Sequence, residues 1–127
     1  MLTVLPVNNS DELREIFNAS GFAYNSQSGC VVAQNGSEIL GKCLYYITED
    51  NITIITLEPH DDIMLADGVL RSALHVADFR GITQAYYLDS APVALLKTLG
   101  FIKNIAEKTL AIEKLHESCC NCEKNDK

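Results

Sequence analysis

Three aspartates, Asp61, Asp62 and Asp67, stand where the apolar run NITIITLEP gives way to the long helical pattern that opens with DDIMLADGVL. A strand, a short loop and a helix start form the usual geometry for holding a phosphate. Backbone N–H groups at a helix N-terminus carry partial positive charge and favour an anion. Glycines and a cation belong in such a loop, and carboxylates are of the wrong sign. The same aspartates have a complete structural role as caps and first-turn residues, which stabilise a helix by roughly 0.5–2 kcal/mol without any ligand. Gly68 would let a cofactor approach the backbone, or would pack the helix tightly on a sheet.

A second group of reactive residues closes the chain: His116, Cys119, Cys120 and Cys122, four soft ligands that suit Zn or Cu(I). Their spacing is not the paired Cys-x-x-Cys arrangement of a structural zinc site and they lie in a polar end, so no metal site is expected. Tyr45, Tyr46, Tyr86 and Tyr87 fall on strand-like runs, where aromatics are core residues first and pocket residues second. His75 shares a narrow polar face with Asp67, Arg71 and Asp78, the position of a solvated histidine.

The elements that position these residues follow from periodicity. LTVLPV reads as a first strand, and Ser10 can cap the helix DELREIF, which Gly21 ends. CVVAQ and EILGKCLYYI flank the turn signal NGS as a hairpin. In its second run Ile39, Cys43, Tyr45 and Ile47 share one face by period-two alternation, and Lys42 falls on the other. In NITIITLEP, Ile52 and Ile54 point one way and Ile55 and Leu57 the other, as in a central strand covered on both faces. From Ile63 to Phe79 helical spacing leaves little polar surface, and Arg80-Gly81 closes the helix. QAYYL is the next strand. DSAPVALLKTLGF is a second helix with Asp89 or Ser90 as cap and Gly100 past its end. Strand, helix, strand in this order implies a parallel crossover. EKTLAIEKL reads as a last strand, Thr109, Ala111 and Glu113 alternating with Leu110 and Ile112.

With 127 residues, 47% hydrophobic and 21% charged, the chain is one α/β domain, residues 1–115, followed by a polar Cys-rich tail, 116–127. A formal net charge of -7, with the ten Lys and Arg scattered, argues against nucleic acid or an anionic membrane as partner. No run reaches membrane-spanning length, and an odd count of five cysteines fits a reducing compartment, so a cytoplasmic location is expected.

The hairpin, the central strand ending in LEP, the helix ending in RGI, the strand QAYYLD and the helix ending in LLKTLGF resemble, in that order, the GNAT N-acetyltransferases. The resemblance runs from about Cys30 to the last strand and is strongest in LADGVLRSALHVADFRGI and LLKTLGF. It implies a mixed central sheet flanked by helices. It also implies acetyl-CoA as cosubstrate and transfer of its acyl group to a small-molecule or peptidic amine by direct attack. The pantetheine arm of the family's cofactor lies in a wedge between the fourth and fifth strands, against backbone that Ile55 and Leu57 would supply. Its pyrophosphate sits on a loop of pattern Arg/Gln-x-x-Gly-x-Gly/Ala, whose place DIMLA or DIMLADG takes here in degenerate form with Ala66 or Gly68 as the small residue, so that Leu65, Ala66, Asp67, Gly68 and Val69 would hold the cofactor. Asp89 adds to the cofactor side. Asp61 or Asp62 replaces the Arg/Gln, Met64 or Leu65 the first glycine, and Leu96 the tyrosine that commonly protonates the departing thiolate. Glu58 stands where the family often keeps a general base, as well as being a plain exposed residue before a proline; His60 is a second candidate. Where the family usually has two helices before the hairpin, there is room for one, and that region often walls the acceptor site. These departures leave a catalytically silent ligand- or partner-binding module as the alternative to the enzyme.

Overall fold

The computed structural model describes residues 2–116. In chain order the elements are β1 (Leu2–Pro6), α1 (Ser10–Ser20), β2 (Ser28–Asn35), β3 (Glu38–Ile47), β4 (Asn51–Glu58), α2 (Ile63–Phe79), β5 (Gln84–Tyr87), α3 (Val93–Thr98), β6 (Ile102–Asn104) and β7 (Thr109–Leu110). They build one seven-stranded mixed sheet in the order β1-β2-β3-β4-β5-β7-β6. Its one parallel pair is β4 with β5, Asn51 opposite Gln84 through Ile54 opposite Tyr87, joined by α2 as the crossover. No helix among the described residues is long and apolar enough to cross a membrane.

The long helix has the bounds its periodicity predicts. Asp62 is its N-cap, Oδ1 accepting from the Leu65 N–H at 3.1 Å. Ala66, Val69, Leu70, Ala73, Leu74 and Ala77 are fully buried against one face of the sheet. Each buried Val or Leu side chain contributes roughly 1.5–3 kcal/mol relative to exposure, so this stripe anchors the core. The opposite face is covered by α1, whose Leu13 and Phe17 pack with Cys30, Val32, Leu44 and Ile55.

Several local expectations are corrected. Helix α1 is capped by Asn9 rather than Ser10, its Oδ1 accepting from the Glu12 N–H at 3.0 Å. Neither Asp89 nor Ser90 caps α3: the helix begins after Pro92 with no side-chain cap bond. Those two side chains are used elsewhere, Asp89 pairing with Lys108 Nζ at 2.6 Å and Ser90 Oγ donating to the Ile55 carbonyl at 2.8 Å. The last strand is only two residues long, because the chain turns at Ala111 and buries Ile112 and Leu115 through a helical turn. Its hairpin partner β6 is an element the apolar pattern did not signal.

Two β-bulges reassign faces. The β3–β4 register steps from Leu44 opposite Thr56 to Tyr45 opposite Ile54, leaving Ile55 as the extra residue. A bulge resets the alternation of the residues beyond it. Leu57 therefore joins Ile52 and Ile54 on the α2 face, and Ile55, expected beside Leu57, packs on the α1 side. In the same way the step near Ala33 and Gln34 passes over Leu40. Ile39 leaves the face of Cys43 and Tyr45 and lines a groove with Ile16 and Ala19 of α1.

Burial also sets the titration of this core. It pushes the Cys30 thiol from 9.0 to about 12 against a smaller lowering by Lys42, and the Tyr45 phenol from 10.0 to about 12. Cys43 is likewise held well above its ordinary value by burial. Each group is protonated more tightly when folded, so the stability it supports is complete below its unfolded pKa and is lost as pH rises toward the folded one. Unfolding free energy by urea titration is expected to be flat with respect to these groups below pH 9.0 and to fall between 9.0 and about 12. Cys30→Ala should make that decline shallower; an unchanged slope would remove Cys30 as a contributor.

Candidate functional site

The site is built where β4 outruns its parallel partner. Pairing with β5 ends at Ile54 opposite Tyr87, and the Leu88 N–H closes it on the Ile54 carbonyl at 2.9 Å. Beyond the bulged Ile55, Thr56 to Glu58 stay paired to β3, and the segment from Ile55 to Glu58 meets no strand on its other side. A bulge bends its strand, and the one at Ile55 falls at the end of the β5 pairing, where the wedge that the GNAT resemblance implies would open. Ile55 and Leu57 lie in that segment, as expected, with their side chains fully buried and their backbone the part that meets the wedge. One acceptor is already engaged: the Ile55 carbonyl takes the Ser90 hydroxyl, leaving its second lone pair.

Two grooves lie near the end of β4. On the α2 side a groove of about 520 Å³ runs between His60 and Ile63 on one wall and Pro92, Val93, Ala94 and Thr98 on the other. On the α1 side a pocket of about 330 Å³ is floored by Lys42 and Glu58 and walled by Ile16, Ala19, Ile39 and Leu40. Glu58 and His60, two residues apart, thus face different grooves. Glu58 Oε1 is 3.2 Å from Lys42 Nζ, a cross-strand pair that is half-exposed on the Glu58 side. The close passage of β4 here needs the absent side chain of Gly41, since a Cβ there would lie 2.7 Å from the Glu58 carbonyl oxygen. On the same sheet face, Thr56 Oγ1 is buried with no hydrogen-bond partner among the described residues. An unsatisfied buried hydroxyl costs roughly 1–3 kcal/mol.

At the start of α2, Ala66 and Val69 face the core, Leu65 and Asp67 are half-buried, and Gly68 has nothing within 4 Å of where its Cβ would be. Gly68 is thus not required for packing on the sheet. Asp67 is bound to Arg71, Oδ2 to Nε 2.9 Å, and the Arg71 guanidinium lies 5.0 Å from the centroid of the Phe101 ring. Exposed Asp61 and Asp62 precede the helix, with Met64 86% exposed beside them. Asp89 stands apart from the α2–α3 groove, on Lys108. Leu96, at the tyrosine position, is fully buried and offers the site nothing. His116, placed at the start of the tail, folds back so that Nε2 lies 3.0 Å from Asp78 Oδ1. Cys119, Cys120 and Cys122 lie outside the described residues, and the described residues hold no cluster able to bind a metal.

Of the residues singled out from the sequence, Glu58 and His60 line these grooves; Lys42, Ile63 and the outer face of α3, which line them too, and Ser90 on the Ile55 carbonyl were not singled out for the site. Lys42 alone had a signal, its place on the strand face opposite Cys43 and Tyr45.

This topology, a bulged fourth strand parting from a parallel fifth, can be compared with solved structures. It matches YhhK of Escherichia coli, solved bound to coenzyme A, with a TM-score of 0.55 over 87% of this chain and 98% of that one, at 13% identity. The fold is that of the GNAT acetyltransferases. The ribosomal-protein-S18-alanine N-acetyltransferase of Escherichia coli aligns with a TM-score of 0.57 at 12% identity, covering 86% of this chain and 88% of its own. The GNAT family protein SP0256 of Streptococcus pneumoniae aligns with a TM-score of 0.54 at 14% identity, covering 80% and 88%. No protein-family model and no curated protein matches the sequence. The GNAT fold therefore rests on shape, at 12–14% identity to these neighbours.

Proposed function

We propose that the protein is an acetyl-CoA-dependent N-acetyltransferase. The observation that carries the reading is the parting of β4 from β5 at Ile54, with one groove on each side of the exposed strand end. In this reading coenzyme A enters along the α2–α3 groove and its pantetheine arm lies against the backbone from Ile55 to Leu57. The backbone of Leu65, Ala66, Asp67, Gly68 and Val69 receives the phosphates. The thioester supplies the activated acyl group. Glu58 takes the proton of the attacking amine, which arrives from the α1 side. The protein bound to coenzyme A in a similar fold, YhhK, supports this choice of cosubstrate. With Leu96 buried, the thiolate is protonated by solvent. An amine acceptor, small or peptidic, is the expected partner, and residues 1–115 the functional unit.

Calorimetric titration with coenzyme A and acetyl-CoA, followed by a thiol-release assay against a panel of amines, tests the reading. Binding with turnover supports it. Binding without turnover on any amine would favour a silent module, a reading that the Ser90 bond on the Ile55 carbonyl favours because it fills part of the wedge.

The charge at the α2 start gives a further expected result. A carboxylate about 5 Å from a phosphate costs about 3 kcal/mol at the effective dielectric of a protein surface. Asp61 has no capping role, whereas Asp62 is the cap, so Asp61→Arg separates charge from helix stability. This variant is expected to bind coenzyme A about tenfold or more tightly at low salt, the gain shrinking as salt rises. Tight wild-type binding that Asp61→Arg leaves unchanged would place the phosphates elsewhere.

A further inference from the structure

The pocket on the α1 side has a composition that narrows the acceptor. Its floor holds two opposite charges side by side, Lys42 Nζ and Glu58 Oε1 at 3.2 Å, and its walls are aliphatic. Ile39 and Leu40 are 48% and 37% exposed, unusual for large apolar side chains on adjacent strand positions, and both line this pocket. The ion pair does not exhaust either partner. A lysine ammonium has three N–H donors and a carboxylate about four acceptor sites, so each can take a further bond while keeping the other.

We propose that the acceptor is a free α-amino acid with an aliphatic side chain, held as its zwitterion across the Lys42–Glu58 pair. The inference rests on the acetyl-transfer reading and names the substrate class of that site. The ligand ammonium donates to Glu58 and the ligand carboxylate accepts from Lys42, so four charges alternate in sign. The side chain lies against Ile16, Ala19, Ile39 and Leu40. A volume of about 330 Å³ suits a molecule of this size and is small for a folded peptide segment. A plain alkylamine would leave the Lys42 charge unmatched, and a peptide N-terminus would put an amide where the carboxylate belongs. The neighbouring C-terminal end of α1, with no basic residue in its last turn, adds negative potential that favours the ammonium. In the reaction the ammonium loses one proton to Glu58 and its nitrogen attacks the thioester carbonyl. The C–N bond forms, the C–S bond breaks, the second nitrogen proton is lost to solvent, and the thiolate is protonated from solvent. The products are the N-acetyl amino acid and the free thiol of coenzyme A.

The test is a ¹H–¹⁵N NMR titration of the full chain, without cofactor, using L-leucine, 3-methylbutylamine and a leucine-initiated tripeptide. Acetyl transfer to the same three compounds is measured in parallel. L-Leucine is expected to shift the amides of Ile39, Lys42 and Glu58 and to bind about tenfold or more tightly than the amine or the tripeptide. Lys42→Met should abolish that preference by weakening leucine, while 3-methylbutylamine, freed of the unmatched positive charge beside Glu58, binds more tightly, which a general loss of fold would not do. Equal binding of all three, or a preference for the tripeptide, would overturn the proposal, as would a leucine preference that survives Lys42→Met. Leucine binding at these residues without acetyl product would keep the zwitterion site and remove the transferase reading. Acetyl transfer to the amine or the tripeptide without leucine binding would do the reverse.

Discussion

Glu58→Gln is expected to lower kcat for acetyl transfer by about 100-fold or more while coenzyme A binds as before. The carboxylate lines the α1-side pocket and the groove proposed for the cofactor is the separate one between α2 and α3, so the substitution separates proton removal from cofactor affinity. The amide keeps the size and one acceptor oxygen but cannot take a proton at neutral pH. Losing the half-exposed pair with Lys42 should cost the fold less than about 1 kcal/mol, because exposed ion pairs contribute little. Steady-state kinetics and calorimetry on wild type and variant decide the matter. A variant with unchanged kcat would exclude Glu58 as the base and move attention to His60. A variant that loses cofactor affinity instead would show that the two grooves are not separate.

Gly29→Val is expected to destabilise the fold by about 1–3 kcal/mol, with a fall in Tm of about 3–5 °C per kcal/mol. Gly29 lies directly across from Tyr45 on β3, and the tyrosine ring covers it. A Cβ at Gly29 would lie 2.3 Å from Tyr45 Cε1 and 2.6 Å from Cζ. The ring has nowhere to go, since Tyr45 is 4% exposed and belongs to the core beneath α2. Tyr45→Ala should restore part of the loss in the double variant, as expected when two residues compete for one space. Additive effects in thermal unfolding would mean that the clash is relieved by backbone movement instead.

The two substitutions probe different parts of one arrangement. The sheet face under α2 supplies the rigidity, and the opposite face, under α1, carries the Lys42–Glu58 floor of the pocket proposed for the acceptor. The bulge at Ile55 links them, because it turns Leu57 inward and leaves Glu58 on the α1 side of the strand. Gly41 lets that strand end pass close to β3. The acidic start of α2 is compatible with a helix cap and unfavourable for a phosphate, so weak cofactor binding is the expected property of the natural sequence.

By itself the sequence determined the elements whose signal is local. The apolar stripe from Ile63 to Phe79, the aspartate before it and the Arg80-Gly81 close fixed α2, because a 3.6-residue repeat, a cap and a stop act within one helix. The hairpin of β2 and β3 and the parallel pairing of β4 with β5 followed from a turn signal and from the handedness of a crossover. Asn9 was passed over as the cap of α1 because Asn and Ser are about equally good there, and only the actual chain path chooses between neighbours. What only the tertiary structure decided depends on two strands at once. A bulge is a mismatch of count between partners, so the reassignment of Leu57 and Ile39 to new faces leaves no mark in either strand alone. The Lys42–Glu58 pair and the Ser90 bond to Ile55 join residues 16 and 35 positions apart, distances over which periodicity carries no information. The short β7 shows the same limit: Leu110, Ile112 and Leu115 are all buried, but burial was reached by a turn, and alternating residues look alike whether a strand or a turn hides them.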